Sequence, residues 1–237
     1  MNRRFVLLAA PILMALTAAA PAKKKAAVPP PQPPTADYVM IALTTTLGTI
    51  EVELDHKHAP LTVENILRYV DQKRLDNSAF YRAMHLAWGK QPNGLVQAGV
   101  QMDPRRTLKP VAHEPTSQTG LTHKAGTLSL ARNAPGTGMA EFSILLSDLT
   151  SFDADPKSAD PEAQAGYAAF GRVTMGMDVV RKIWDQPISQ TKGQGAMRGQ
   201  MLEVPVKILT VRRLPVAAAR PAAAASAPAP VPAPVKP

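Results

Sequence analysis

Apolar and polar residues alternate with a period of two along much of the chain, beginning with "YVMIALTTTLGTIEVEL". That stretch predicts two strands, Tyr38 to Thr44 and Thr49 to Leu54, joined in hairpin fashion through Leu47-Gly48. The period then changes. Val63, Ile66, Leu67 and Val70 follow the i, i+3, i+4, i+7 rule, which predicts an amphipathic helix from Thr62 to Gln72 with Thr62 as its N-cap after Pro60. Further strands are predicted at Phe80 to Met84, Leu95 to Val100, Thr127 to Leu130, Phe142 to Leu146, Ala168 to Val173 and Val206 to Arg212. A second helix follows Gly176, where Met177, Val180 and Ile183 recur at helical spacing. Eight short strands with one helix near each end predict a mainly antiparallel sheet that closes into a barrel, the helices covering its openings.

Composition sets the limits of this domain. Of 24 prolines in 237 residues, five fall between Pro29 and Pro34 and seven at or after Pro215, but only ten between Asp37 and Leu214. The reading is one folded domain, 37–214, between a proline-rich spacer, 23–36, and an Ala/Pro-rich tail, 215–237, both expected to be extended. The first 22 residues combine Arg3 and Arg4, an apolar run from Phe5 to Ala20 and the small-residue triplet Ala20-Pro21-Ala22. That is the pattern of a secretory signal peptide, the alternative being an uncleaved membrane anchor, so export to a periplasm is expected, with no stable membrane insertion once the signal is cleaved near Ala22. The chain has no cysteine, so no disulfide framework can hold the fold.

The net charge of +9 suggests a nucleic-acid partner until it is located. Seven basic residues and no acidic one lie in the flanking segments, which leaves 20 basic against 18 acidic groups in the domain. No nucleic-acid partner is expected. Nor is metal or hydrolytic chemistry: the five histidines form no HExxH motif, and Ser129, Ser143 and Ser147 lack a G-x-S-x-G frame. Cofactor-free chemistry fits best.

The segments "FYRAM", "GLVQAG", "HKAGTLSLARN", "EFSILLSD" and "GYAAFGRVTMGMDVVRKI", following "LTTTLGTIEVELDHKHAPLTVENILRYV", resemble the cyclophilin-type peptidyl-prolyl isomerases, most of all the exported bacterial members. The resemblance implies a closed eight-stranded antiparallel barrel capped by two α-helices, acting as a monomer on proline-containing segments of unfolded or flexible proteins. It makes Arg82 the residue that stabilises the twisted prolyl amide and Gln97 the one that orients it. Phe80, Leu95, Phe142, Phe152 and Tyr167 are expected to shape or support the proline pocket. Ala131, Arg132 and Glu141 are expected along the substrate backbone, with Glu141 in place of a family glutamine. Phe80 and Arg82, two apart in one strand, are expected on the same face.

Two departures stand out: Gly94 and Ser143 occupy positions where the family usually carries pocket phenylalanines. Trp88, in the insertion "HLAWGKQPN", is a candidate to replace them or else packs on the barrel surface, and Arg105 and Arg106 either steer acidic client segments or are plain solvated charge. The competing reading is a chaperone-like binding module that keeps the barrel with little or no catalysis.

Overall fold

The computed structural model describes residues 36–215. The expected signal segment 1–22, the expected spacer 23–36 apart from its last residue, and the expected tail 215–237 apart from its first all lie outside the described residues. The eight expected strands are present: β1 (Tyr38–Thr45), β2 (Gly48–Asp55), β3 (Ser78–His85), β4 (Gly94–Gly99), β5 (Thr127–Leu130), β6 (Phe142–Leu145), β7 (Ala168–Met175) and β8 (Met201–Arg213). They close into a barrel in the order β1-β2-β7-β5-β6-β4-β3-β8, with antiparallel pairing throughout. β8 is longer than expected because it continues past Pro205. Between Phe80 and Arg82 its partner jumps from Val206 to Met201, so the intervening residues leave the ladder and Pro205 need not donate to it.

Both expected helices form, α1 (Pro60–Asp71) and α4 (Met177–Trp184), with two short ones between them, α2 (Thr116–Thr119) and α3 (Pro161–Ala165). α1 packs over β2, β7 and β8, and α4 over β2, β3 and β4. Val63, Ile66, Leu67 and Val70 of α1 and Val180 and Ile183 of α4 are buried in the barrel's core, as their spacing requires.

The start of α1 corrects the sequence reading. Pro60, not Thr62, opens the helix, since a fixed φ and a missing N–H suit the first turn. Thr62 lies inside it. The open amides of that turn are satisfied from 52 residues away by the buried carboxylate of Glu114, which accepts from Leu61 N (3.1 Å), Thr62 N (2.7 Å) and Thr62 Oγ1 (2.6 Å).

Side-chain alternation divides the sheet into a core face and an outer face. On β4, Val96 and Ala98 enter the core while Leu95 and Gln97 point out; on β6, Phe142 and Ile144 enter and Ser143 and Leu145 point out; on β5, Leu128 and Leu130 enter and Ser129 points out. The outward residues of these neighbouring strands make the floor of a cleft.

Candidate active site

The cleft, about 390 Å³, lies over β3, β4, β6 and β5 and is walled by the segment after β5, by the 3-10 turn Thr150–Phe152 and by the loop before β8. Arg82 and Gln97 come together in it. A β-bulge between Phe80 and Arg82 places them there: Phe80 pairs with Ala98, Arg82 pairs with Gln97, and Tyr81 is the extra residue. The extra residue resets the period of two. Phe80, expected on the same face as Arg82, is instead fully buried in the core, edge to face with Phe142 at 6.3 Å. Phe142 supports the sheet from the core side. Neither ring is among the residues lining the cleft; for Phe80 this corrects its expected place beside Arg82, while Phe142 supports the pocket from behind.

Arg82 is held from both sides by glutamine oxygens. Its Nη1 donates to Gln97 Oε1 (2.7 Å), while Nε (2.9 Å) and Nη2 (2.6 Å) both donate to Gln200 Oε1. Each glutamine is oriented in turn by a bond from its own amide nitrogen. Gln97 Nε2 donates to Tyr81 OH (2.9 Å), and Gln200 Nε2 donates to Ala196 O (2.9 Å). A guanidinium carries five N–H groups. The glutamines take three, the Met84 sulfur stands 3.7 Å from Nη2, and one Nη1 hydrogen has no protein partner among the described residues. Burial lowers the pKa of Arg82 from its ordinary value, but an arginine so placed stays cationic at physiological pH.

The remaining candidates divide by role. Leu95 lines the cleft and packs with Leu145, Leu149, Met84 and Phe152. Phe152 and Tyr167 form one wall, their rings 5.0 Å apart and tilted. Ala131 lines the opposite strand end with its amide bonded to Glu141 O (2.9 Å). The Arg132 side chain lies over the Tyr167 ring at 4.7 Å and bonds to Gly166 O and Glu162, so it braces the wall. Glu141 reaches the cleft, but its carboxylate is buried and accepts from Tyr81 OH (2.6 Å). It is committed to the protein, against its expected role on the substrate backbone.

The two departures from the family pattern have structural accounts. At Gly94, φ is +140° and a Cβ would stand 1.9 Å from Met84 O, so the backbone leaves no room for a ring. Ser143 pairs across from Gln97 on β4 and Ser129 on β5, giving the cleft a floor of two hydroxyls and an amide. Trp88, 63% exposed, is not among the residues lining the cleft and does not replace the missing rings. Apolar contact comes from Met84, Met102, Met139 and Met197, unbranched side chains that adapt to an irregular hollow.

Sequence reasoning missed those methionines and Gln200. Gln200 lies 118 positions from Arg82 in a loop without periodic pattern, so only the closed ladder reveals it. It also missed a buried chain beside the floor, behind Phe152: Asp153 Oδ1 lies 2.6 Å from His123 Nδ1, and His123 Nε2 lies 2.9 Å from Ser129 Oγ. Arg106, expected to steer clients or sit in solvent, donates to the carbonyls of Arg74 and Asp76 and ties its loop to the turn after α1, while Arg105 is exposed and paired with Asp103. No group of three or more His, Asp or Glu residues placed to hold a metal ion occurs among the described residues.

Residues 40–212 match the family model "Cyclophilin type peptidyl-prolyl cis-trans isomerase/CLD". The chain belongs to this cyclophilin family. Its enzymatic class is accordingly that of the peptidyl-prolyl cis-trans isomerases. A peptidyl-prolyl cis-trans isomerase from Acinetobacter baylyi is 32% identical over 185 residues, covering 76% of this chain and 88% of its own. Another, from Dickeya dadantii, named isomerase A, is 32% identical over 147 residues, covering 60% of this chain and 70% of its own. A cyclophilin from Cryptosporidium parvum, solved in the presence of the dipeptide Ala-Pro, superposes with a TM-score of 0.55 at 16% identity, covering 74% of this chain and 99% of its own. That likeness bears on the fold. In this cyclophilin the site combines two glutamines on Arg82 with a hollow lined by four methionines.

Proposed function

We propose that this cyclophilin catalyses rotation about X-Pro bonds in unfolded or flexible segments of exported proteins, with Arg82 stabilising the half-rotated amide. An X-Pro bond keeps partial double-bond character with a rotation barrier of ~18–20 kcal/mol. At the half-turned geometry resonance is lost, and the proline nitrogen gains a lone pair that accepts a hydrogen bond. A donor fixed at that nitrogen binds the twisted state better than either planar isomer, which is what lowers a barrier.

The observation that carries this reading is the guanidinium held in the cleft by Gln97 and Gln200 with an Nη1 hydrogen to spare. Leu95, Phe152, Tyr167 and the cleft methionines supply the apolar contact for the proline ring. The apolar N-terminal run with its small-residue triplet supports export to a periplasm, where the clients are newly translocated chains. A proline-peptide isomerisation assay tests the reading. The wild-type chain accelerates exchange, and Arg82→Ala abolishes the acceleration while the circular dichroism of the barrel is unchanged; absence of acceleration by the wild type, with suppression of client aggregation instead, supports a binding module.

A further inference from the structure

The hydrogen bonds behind Gln97 have a direction, and the direction is set at their far end. Tyr81 OH donates to Glu141 Oε2 (2.6 Å), Gln97 Nε2 donates to Tyr81 OH (2.9 Å), and Arg82 Nη1 donates to Gln97 Oε1 (2.7 Å). Each step forces the next. A carboxylate only accepts, so Tyr81 spends its single hydrogen on Glu141; the phenol oxygen then accepts, so Gln97 must present its NH2 to it, and its oxygen is turned to the guanidinium. Burial, the Glu141 charge and the bond to Glu141 all raise the Tyr81 pKa, so the phenol keeps its proton.

The surroundings of Glu141 are shaped for an anion. The Met102 N–H donates to Oε1 (3.3 Å), and the backbone amides of Val100 and Gln101 also favour the charged form. Gln101 and Met102 hold left-handed backbone, with φ of 53° and 58°, the arrangement by which successive N–H groups line a concavity for negative charge. At Gly99, with φ of +150°, a Cβ would stand 2.2 Å from a carboxylate oxygen, so glycine there makes the approach possible. The titratable groups that face the carboxylate are Tyr81 from β3 and Tyr69 from α1, and no lysine, arginine or histidine pairs with it among the described residues.

We propose that Glu141 is a positioning residue whose carboxylate fixes the sense of this relay and so holds the Gln97 oxygen on Arg82, making isomerisation depend on Glu141 being ionised. The proposal rests on the role given to Arg82 above. When Glu141 takes up a proton, that proton points at Tyr81 OH, Tyr81 turns its hydrogen toward Gln97, and Gln97 must either lose the bond or present NH2 to the guanidinium, donor against donor. Burial raises the Glu141 pKa above the ordinary glutamate range, against the opposing pull of Tyr81 and the backbone amides. Activity is therefore present above that raised value and lost as pH falls through it. Stability follows the opposite sign: the folded state takes up this proton more readily than the unfolded chain, so the fold gains stability from Glu141 over the same window.

The test is the pH profile of kcat and KM on a proline tetrapeptide from about pH 8 down to the lowest pH at which the barrel stays folded, for the wild type, Glu141→Gln and Tyr81→Phe. Glu141→Gln imitates the protonated side chain, because the Met102 amide claims its oxygen and leaves NH2 for Tyr81. Wild-type kcat falls about tenfold toward acid. Glu141→Gln has the low kcat already at the alkaline end, with no acid limb and KM within about twofold. Tyr81→Phe, which cuts the relay, also lacks the limb. The Arg82 Nε–H resonance of the wild type shifts with the same midpoint, a readout independent of turnover. An acid limb that survives in Glu141→Gln, or a wild-type kcat that does not change with pH, overturns the proposal. The failures are separable: turnover that survives Arg82→Ala removes the underlying reading, whereas turnover lost in Arg82→Ala with an unchanged limb in Glu141→Gln removes the relay alone.

Discussion

Arg82 and Gln200, 118 residues apart in the chain, are joined by two hydrogen bonds to one amide oxygen, 2.9 Å from Nε and 2.6 Å from Nη2. This bond pair fixes the rotation of the guanidinium about its own stem, which a single bond to Gln97 leaves free. Gln200→Ala is expected to lower kcat about tenfold with KM changed by less than about twofold, since misplacing a catalytic group costs rate rather than binding. Steady-state kinetics on a proline peptide check this; an unchanged kcat shows that Gln97 alone positions the arginine.

Ser143 offers a gain rather than a loss. It sits on the cleft floor between Gln97 and Ser129, where a larger apolar group is expected to meet a bound proline ring. Burying a phenylalanine ring is worth roughly 1.5–3 kcal/mol, so Ser143→Phe is expected to lower KM by about tenfold. Titration of a proline peptide by calorimetry reads the same change as tighter binding.

Glu114 holds the start of α1 by three hydrogen bonds from Leu61 and Thr62. Removing it strands two amides and a hydroxyl in a buried place. Glu114→Ala is expected to cost about 2 kcal/mol of stability, read as a fall in Tm of roughly 4–8 °C for a domain of this size. Turnover per folded molecule is expected to be unaffected, because Glu114 is not among the residues lining the cleft.

His123 is buried between Asp153 and Ser129, and burial lowers its pKa against the opposing attraction of Asp153. The unfolded chain therefore binds this proton more readily than the folded one. Stability from His123 is full above the unfolded value of about 6.5 and is lost as pH falls toward its lower folded value. Wild-type Tm is expected to drop between about pH 7 and pH 5 more steeply than that of His123→Gln. Glu141 contributes with the opposite sign, so the double variant with Glu141→Gln separates the two.

The barrel was legible because period-two alternation survives in nearly every strand: Val96, Ala98, Ile144 and Leu128 face the core as the pattern requires. Arg82 and Gln97 were legible through the family's motifs. Phe80 was not, because a bulge inserts Tyr81 without any mark in the residue types, and one inserted residue sends the next side chain to the other face. Gln200 and Glu114 escaped for a different reason. Each acts on a partner far along the chain, and only the closing of the barrel brings them together.

In the proposed mechanism the arginine at position 82 acts as a rigid fork, held on one edge by Gln200 and on another by Gln97, that still has a hydrogen to give. Lysine keeps the charge but cannot make that arrangement. The most direct test measures kcat for isomerisation and Kd for the same proline peptide in Arg82→Lys, by line-shape NMR. The account predicts a kcat lowered by about a hundredfold or more with Kd within about threefold of wild type. A lysine variant that turns over at the wild-type rate contradicts it.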